Sequence, residues 1–244
     1  MSDIKYIFLD DKKYQKKAEY FSNKYQVPIS IKKPTNCHIA LSSKLELCFK
    51  NEKFASDFTK GRFFTRLSKY QTELHLKKAI GWKSNVSKNI LDCTGGLGHD
   101  AFILALLGQK ITFVEKNKGL CILFENALSE LPNEKYFNSA RSKILIKNGD
   151  SKQFIIDSEK FDVIYIDPMF NSKKKLKRSK EMSFLDIYLD DYDSPLEDYL
   201  KTDHRRIVVK RELRSSAGNN RTPEISFKGK SIKYDVYLGR RHEF

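Results

Sequence analysis

Ile4 to Leu9 is a short apolar run that predicts a strand, and Asp10 is placed to cap a polar helix from Lys12 to Tyr25. Pro28 and Pro34 bracket a short extended piece. His38–Leu41 and Leu45–Phe49 then alternate as a hairpin turning at Ser42-Ser43-Lys44. From Asp57 to Phe64 aromatic and basic residues interleave, and Leu67, Tyr70, Leu74 and Leu76 follow at helical spacing, predicting one helix that reaches about Ile80. The interleaved segment fits a stacking platform for RNA bases. It fits equally a seal between two lobes whose charges face water.

Beyond Gly81 the pattern becomes a strand–helix alternation. An apolar strand ending at Leu91-Asp92 runs into Cys93-Thr94-Gly95-Gly96-Leu97-Gly98 and then into a helix of strong formers from Ala101 to Leu107. Lys110–Glu115 reads as a strand and Asn117–Leu131 as a helix with Leu120, Leu123, Phe124, Ala127, Leu128 and Leu131 on one face. Lys143–Ile146, Phe161–Ile166 and Arg205–Lys210 read as further strands, the second apolar enough to be buried on both faces. A helix is predicted from about Glu181 to Tyr188, and a final hairpin from Glu224 to Leu238 turning near Lys228-Gly229-Lys230. Such alternation predicts an α/β fold with a mainly parallel sheet, closed at one edge by C-terminal antiparallel strands. The expected division is a small α+β lobe over residues 1–60 and a main domain over 61–244.

Composition changes this picture in one respect. The 244 residues are 40% hydrophobic, enough for a real core, but 46 Lys and Arg against 31 Asp and Glu leave a net charge of +15. An excess of that size suits a polyanion, since each neutralised phosphate releases counterions and adds affinity. Cys37, Cys48, Cys93 and Cys121 form no CxxC pair, so neither a zinc site nor a disulfide framework is expected. No metal is expected. There is no basic-then-apolar leader and no apolar run of transmembrane length, which predicts a cytoplasmic protein without a membrane partner.

The candidate chemistry lies at the strand ends, where an open parallel sheet binds ligands. Asp92, Glu115, Asp150 and Asp167 each stand at one of four successive ends. Glu115 follows Gly96 by nineteen residues, the spacing at which an acid accepts hydrogen bonds from ribose hydroxyls. The turn itself, Gly96-x-Gly98-x-x-Ala101, satisfies a dinucleotide fingerprint, so a nicotinamide oxidoreductase is one reading. Asp92 and Asp100, however, flank the turn and suit a cation better than a pyrophosphate. S-adenosylmethionine is such a ligand.

Asp167-Pro168-Met169-Phe170 supplies a matching reaction. An exocyclic amine on a base is a poor nucleophile because its lone pair is delocalised into the ring. Asp167 and the Pro168 carbonyl could each accept one amine hydrogen and turn the lone pair toward a methyl donor, while Phe170 stacks on the flipped-out base. The next ten residues, Asn171 to Lys180, carry six cations and suit a phosphate clamp on the substrate backbone.

These segments together resemble the ribosomal RNA small subunit methyltransferase J family. The resemblance rests on Asp92-x-Thr-x-Gly-Leu-Gly-x-Asp100, Glu115-Lys116-Asn117, Tyr165-Ile166-Asp167-Pro168-Met169-Phe170 with its lysine run and Lys180-Glu181-Met182, Val208-Val209-Lys210-Arg211, and Lys233-Tyr234-Asp235-Val236-Tyr237. They stand in the family's order between about Asp57 and Gly239. The resemblance implies a class I, Rossmann-like fold and methylation of the N2 amine of one guanine in 16S ribosomal RNA. The expected partner is therefore small-subunit rRNA or the 30S subunit. It also implies cofactor contacts at His99, Asp100, Glu115, Lys116, Gly149, Asp150 and Asp167, beside the backbone of Gly96 and Gly98. The chain departs from the family where His99 and Lys116 replace its common Arg, and where Gly149-Asp150 replaces a Ser pair. An Asp at the latter place resembles class I methyltransferases at large, where it accepts from the adenine amine. Two other readings stay open at this point: an adenine-N6 DNA methyltransferase, which uses a similar Asp-Pro-Pro-Tyr turn, and an RNA-binding assembly factor without catalysis.

Overall fold

A computed structural model describes residues 3–168, 183–185, 188–189, 194–215 and 221–239. Contacts divide the chain into two compact units. One comprises Met1–Thr59, Asn117–Leu131 and Met169–Tyr192; the other comprises Lys60–Lys116, Pro132–Pro168 and Asp193–Phe244.

The first unit begins with β1 (Tyr6–Leu9), then a 3-10 turn and α1 (Gln15–Tyr25). Asp11, rather than Asp10, is the cap: its carboxylate accepts the Lys13 N–H at 2.8 Å and starts the tighter 3-10 turn that precedes α1. Short β2 (Ile29–Ser30) lies between the two prolines, and β3 (His38–Leu41) and β4 (Leu45–Phe49) form the predicted hairpin. A strand not foreseen, β5 (Glu52–Phe54), adds to β4, giving a sheet in the order β2-β1-β3-β4-β5. Ala18, Phe21 and Tyr25 bury one stripe of α1.

The second unit opens on α2 (Gly61–Leu67), a 3-10 turn and α3 (Leu74–Ala79), two short helices where the spacing predicts one. The chain turns at Tyr70–Thr72, and so Leu74, expected on the apolar face, is 61% exposed. The order continues β6 (Asn89–Asp92), α4 (His99–Leu106), β7 (Lys110–Glu115), α5 (Lys118–Ser129), α6 (Lys135–Arg141), β8 (Ile144–Asn148), β9 (Val163–Ile166), α7 (Leu196–Leu200), β10 (Arg206–Glu212), β11 (Ile225–Lys228) and β12 (Ile232–Leu238). The crossover helix α5 is capped by Asn117, which accepts the Leu120 N–H at 3.1 Å, and groups by contacts with the first unit. There Tyr25 donates to Glu125 at 2.6 Å. Of the helix predicted from residue 181 to 188, residues 183–185 and 188 are described and helical.

The larger sheet runs β11-β12-β10-β9-β6-β7-β8. Strands β10, β9, β6, β7 and β8 are mutually parallel, while β12 is antiparallel to both of its neighbours. All four residues of β9 are buried, as expected for a strand covered on both faces. Leu91, Val114, Ile164, Ile166, Val209, Tyr199 and Tyr237 form one core cluster. This is an open α/β sheet, mainly parallel and closed at one edge by antiparallel strands. The chain leaves β6 for β7 on one side and reaches β9 on the other, so the carboxyl ends of β6 and β9 bound the crevice at a topological switch point.

Ile164 is 1% exposed at the centre of that sheet. Ile164→Ala is expected to lower unfolding stability by about 2–5 kcal/mol, read from urea titration with an unchanged m-value.

Candidate active site

The turn after β6 is built by two glycines with left-handed backbone. Gly96 has φ +55° and Gly98, the N-cap of α4, has φ +75°, a region costly for any residue with a Cβ. Neighbouring strand ends fasten it. Glu115, 1% exposed at the end of β7, accepts the Gly96 N–H at 2.8 Å. The Thr94 hydroxyl accepts the Asp167 N–H at 2.6 Å, which ties the turn after β6 to the turn after β9. Asn148 at the end of β8 donates to the carbonyls of Glu115 and Lys116 at 3.0 and 2.9 Å. Lys116 in turn pairs with Asp150 at 3.0 Å.

The sheet therefore sets Asp167, Asp92, Glu115 and Asp150 side by side at the ends of β9, β6, β7 and β8. Their environments differ. Asp92 and Glu115 are buried, whereas the side chains of Asp150 and Asp167 each keep 37% of their surface exposed. Burial raises the Asp92 carboxyl well above the usual aspartate range, with the charges of Asp100, Asp167 and Glu115 adding to it against the Thr94 N–H. For Asp150, burial is outweighed by the Lys152 N–H and the Lys116 ammonium, and the carboxyl is held low.

Behind this row sits a charge cluster. Asp100, in the first turn of α4, is 7% exposed. Its Oδ1 accepts from Arg66 at 2.6 Å, and its Oδ2 from Lys210 at 2.8 Å and from the Tyr165 hydroxyl at 2.5 Å. Lys210 Nζ also donates to Asp167 Oδ2 at 2.7 Å, and Arg66 Nε donates to Glu73 at 2.6 Å. Burial alone would raise Asp100, but Lys210 and Arg66 outweigh it and hold the carboxyl far below its ordinary value. Lys210 is raised, because Asp100 and Asp167 outweigh its burial. Asp167 moves the other way: burial and the charge of Asp100 raise it against the shared ammonium.

The residues singled out from sequence thus divide. Gly96, Gly98, Glu115, Lys116, Gly149, Asp150 and Asp167 lie together at the carboxyl edge of the sheet, and Pro168 is buried just behind Asp167. Asp100 lies beside them with its carboxylate committed to protein partners. The His99 ring stacks on Phe63 at 3.9 Å between centroids, and burial pushes its pKa down to about 4, leaving it neutral at pH 7. Phe63 and Phe58 are both buried, within the segment that alternated aromatic and basic residues. Phe170 and the cations from 173 to 180 lie outside the described residues. Arg66 and the Lys210–Asp167 link were not legible. Lys210 stands out only as a cation directly after the apolar run Ile207-Val208-Val209, which carries no mark of Asp100 or Asp167. Arg66 has no such mark either, standing 34 residues from its partner on a two-turn helix.

Among the described residues no group of His, Cys, Asp or Glu is placed to hold a metal ion, and no helix is long and apolar enough to cross a membrane. None of the four cysteines forms a disulfide, and all are buried.

Comparison with known proteins agrees with this architecture. A family model for SAM-dependent methyltransferases matches residues 22–239. Ribosomal RNA small subunit methyltransferase J of Francisella tularensis subsp. novicida is 30% identical over 203 residues, covering 80% of this chain and 84% of that protein. The protein of the same name from Coxiella burnetii is 35% identical over 166 residues, covering 66% of this chain and 65% of that one. The crystal structure of a SAM-dependent methyltransferase from Neisseria gonorrhoeae shares the fold with a TM-score of 0.72 at 19% identity, covering 98% and 97% of the two chains. The fold and its acid-edged glycine turn are those of the class I S-adenosylmethionine-dependent methyltransferases. Within that class the chain belongs to the ribosomal RNA small subunit methyltransferase J family. The methyl donor is S-adenosylmethionine.

The pKa directions predict how the site responds to acid. His99 is depressed from 6.5 to about 4 in the fold, so its contribution to stability is full above pH 6.5 and is lost as pH falls through about 4. Asp100, also depressed, contributes fully above its unfolded value of 3.8 and loses that contribution below it. An NMR titration of the His99 ring is expected to give a midpoint near 4, moving toward 6.5 in Phe63→Ala. Lys210→Met removes the cation that Asp100 and Asp167 share, and is expected to cost about 3–5 kcal/mol at pH 7 in urea unfolding.

Proposed function

We propose that this protein transfers the methyl group of S-adenosylmethionine to the exocyclic N2 amine of a guanine in small-subunit ribosomal RNA, as naked RNA or as the 30S particle, in the cytoplasm. One observation carries the reading. Asp167, at the end of β9 beside the glycine turn, already accepts an amine-type N–H donor at 2.7 Å, from Lys210, and keeps part of its side chain open to solvent.

The residues present fit the cofactor. The buried Glu115 carboxylate, held by the Gly96 N–H at 2.8 Å, stands where a ribose diol is bound in such sheets. Asp150 is an ionised, half-exposed acceptor for the adenine amine. The backbone of Gly96 and Gly98 takes the methionine half, with His99, Lys116 and Gly149 lining the same edge. Asp100 serves by fixing α4 and Lys210, since its own oxygens are engaged. When bound, S-adenosylmethionine supplies an electrophilic sulfonium methyl.

The chain's own part is positioning and proton handling. Asp167 Oδ and the Pro168 carbonyl accept the two hydrogens of the guanine N2 amine and draw its lone pair out of conjugation. Asp167 then takes the proton that the nitrogen sheds as it gains a carbon, a task its raised pKa suits. Lys210 moderates that basicity and keeps the carboxylate aimed. Phe170 stacks on the base, and the cations from 173 to 180 hold the flanking phosphates; both roles are read from sequence. The family relation to enzymes named for ribosomal RNA and the net charge of +15 support RNA as substrate over a small molecule.

Asp167→Asn keeps the shape but removes one acceptor and the proton sink. The expected result is S-adenosylmethionine affinity within about threefold by calorimetry and turnover on undermethylated small-subunit rRNA lower by about 10²–10³-fold. Turnover equal to wild type would contradict the mechanism. Methyl transfer to duplex DNA in place of rRNA would contradict the substrate.

A further inference from the structure

The opposite edge of the larger sheet carries a second charged site. Lys88 immediately precedes β6 and Arg206 opens β10, the two strands that flank β9. The Lys88 backbone is fixed on both sides: its N–H donates to Gln109 at 3.0 Å and its carbonyl accepts the Lys110 N–H at 2.9 Å. Its ammonium has no hydrogen bond or ion pair among the described residues. Arg206 is half-buried and its guanidinium donates to the Ala79 carbonyl at 2.9 Å, with no carboxylate partner among the described residues. The two cations converge on Gly81: Lys88 Nζ lies 3.4 Å, and the Arg206 guanidinium 3.6 Å, from the point a Gly81 Cβ would occupy. Burial and the charge of Arg206 push the Lys88 ammonium below its ordinary value against the opposing charge of Asp162, with a smaller push from Lys83.

Crowded like charges cost stability unless something offsets them. The nearby carboxylate, Asp162, is already engaged, with one oxygen on Arg205 at 2.7 Å and the other on the Asn89 N–H at 2.9 Å. Next along the chain, Trp82 lines a groove of about 560 Å³ with Tyr70, Lys77 and Lys83. Lys77 stands over the Trp82 ring at 4.6 Å. This edge lies roughly 13 Å from the glycine turn, the length of a four-residue strand at about 3.3 Å per residue.

We propose that Lys83, Lys88 and Arg206 form a phosphate-binding site at the amino edge of the sheet, and that it holds a backbone phosphodiester of the RNA. The proposal rests on the reading of RNA as substrate and adds a contact remote from the methyl-transfer end. Lys88 and Arg206 grip the anion across Gly81, Lys83 closes it from the solvent side, and the groove at Trp82 takes the adjoining nucleotide. A free phosphate ion would meet the same donors, so the test separates the two sources.

Trp82 is the only tryptophan in the chain, so its emission reports on this edge. The experiment compares wild type, Lys83→Gln/Lys88→Gln and an equal-charge control, Lys135→Gln/Lys147→Gln, using small-subunit rRNA fragments across a salt series and inorganic phosphate alone. The expected result is an emission change on RNA binding. In the Lys83/Lys88 variant RNA affinity falls about tenfold near 0.1 M salt and the log–log salt slope becomes shallower by about one to two units. In the control both change much less. S-adenosylmethionine binding, unchanged in all three, reports folding, and in turnover the variant raises KM for RNA while leaving kcat. Equal behaviour of variant and control overturns the proposal, as does an emission response to inorganic phosphate with none to RNA. A wild type that binds RNA in this lysine-dependent way but methylates no rRNA would remove the proposed function and leave this site standing.

Discussion

The Lys210 ammonium, held between Asp100 and Asp167 at 2.8 and 2.7 Å, is the constraint on which the site depends. It joins three pieces of chain that are distant in sequence: the first turn of α4, the end of β9 and the middle of β10. Arg66 adds α2 through the other oxygen of Asp100. A buried ion cluster of this kind contributes little net stability against an apolar replacement, yet removing one member leaves its partners unpaired at a cost of several kcal/mol. What it secures is geometry. Asp167 is fixed against the glycine turn by its backbone bond to Thr94 and by its side-chain bond to Lys210.

The same cluster separates the chemistry of neighbouring carboxylates. Asp100 is pinned in its ionised form by two cations, while Asp167, sharing one of them, is raised. A pair of acids with environments that push them apart is the usual way a site obtains both a fixed charge and a group able to take a proton. Glu115 and Asp150, further along the edge, accept instead from the Gly96 N–H and from the Lys116 ammonium. Polarity runs along the strands as well. Four acids stand at the carboxyl ends of the strands, and Lys88, Lys110, Lys143 and Arg206 at their amino ends.

Much of this was legible in the sequence because two periodicities are strong. The buried run at Val163–Ile166 and the apolar stripe of α5 are local patterns, and the acids at Asp92, Glu115, Asp150 and Asp167 follow directly from where those strands stop. Elements below that threshold were missed or misjoined: β5 has three residues with two exposed, and the apolar spacing from Leu67 to Ile80 hid a break at Tyr70–Thr72. The ion cluster was invisible for another reason. Arg66, Asp100 and Lys210 meet only through the tertiary fold, and a charge in a short amphipathic helix or at a strand centre carries no mark of its partner. Asp100 in particular reads as a ligand contact by its place beside the glycines, whereas its oxygens are taken by the protein.

The most direct test of the central claim is nucleoside mass spectrometry of small-subunit rRNA from cells lacking the gene, complemented in turn by wild type and by the Asp167→Asn variant. The account predicts loss of one N2-methylguanosine, restored by wild type and not by the variant. N2-methylguanosine present at full level at every small-subunit site in the deletion strain would contradict it.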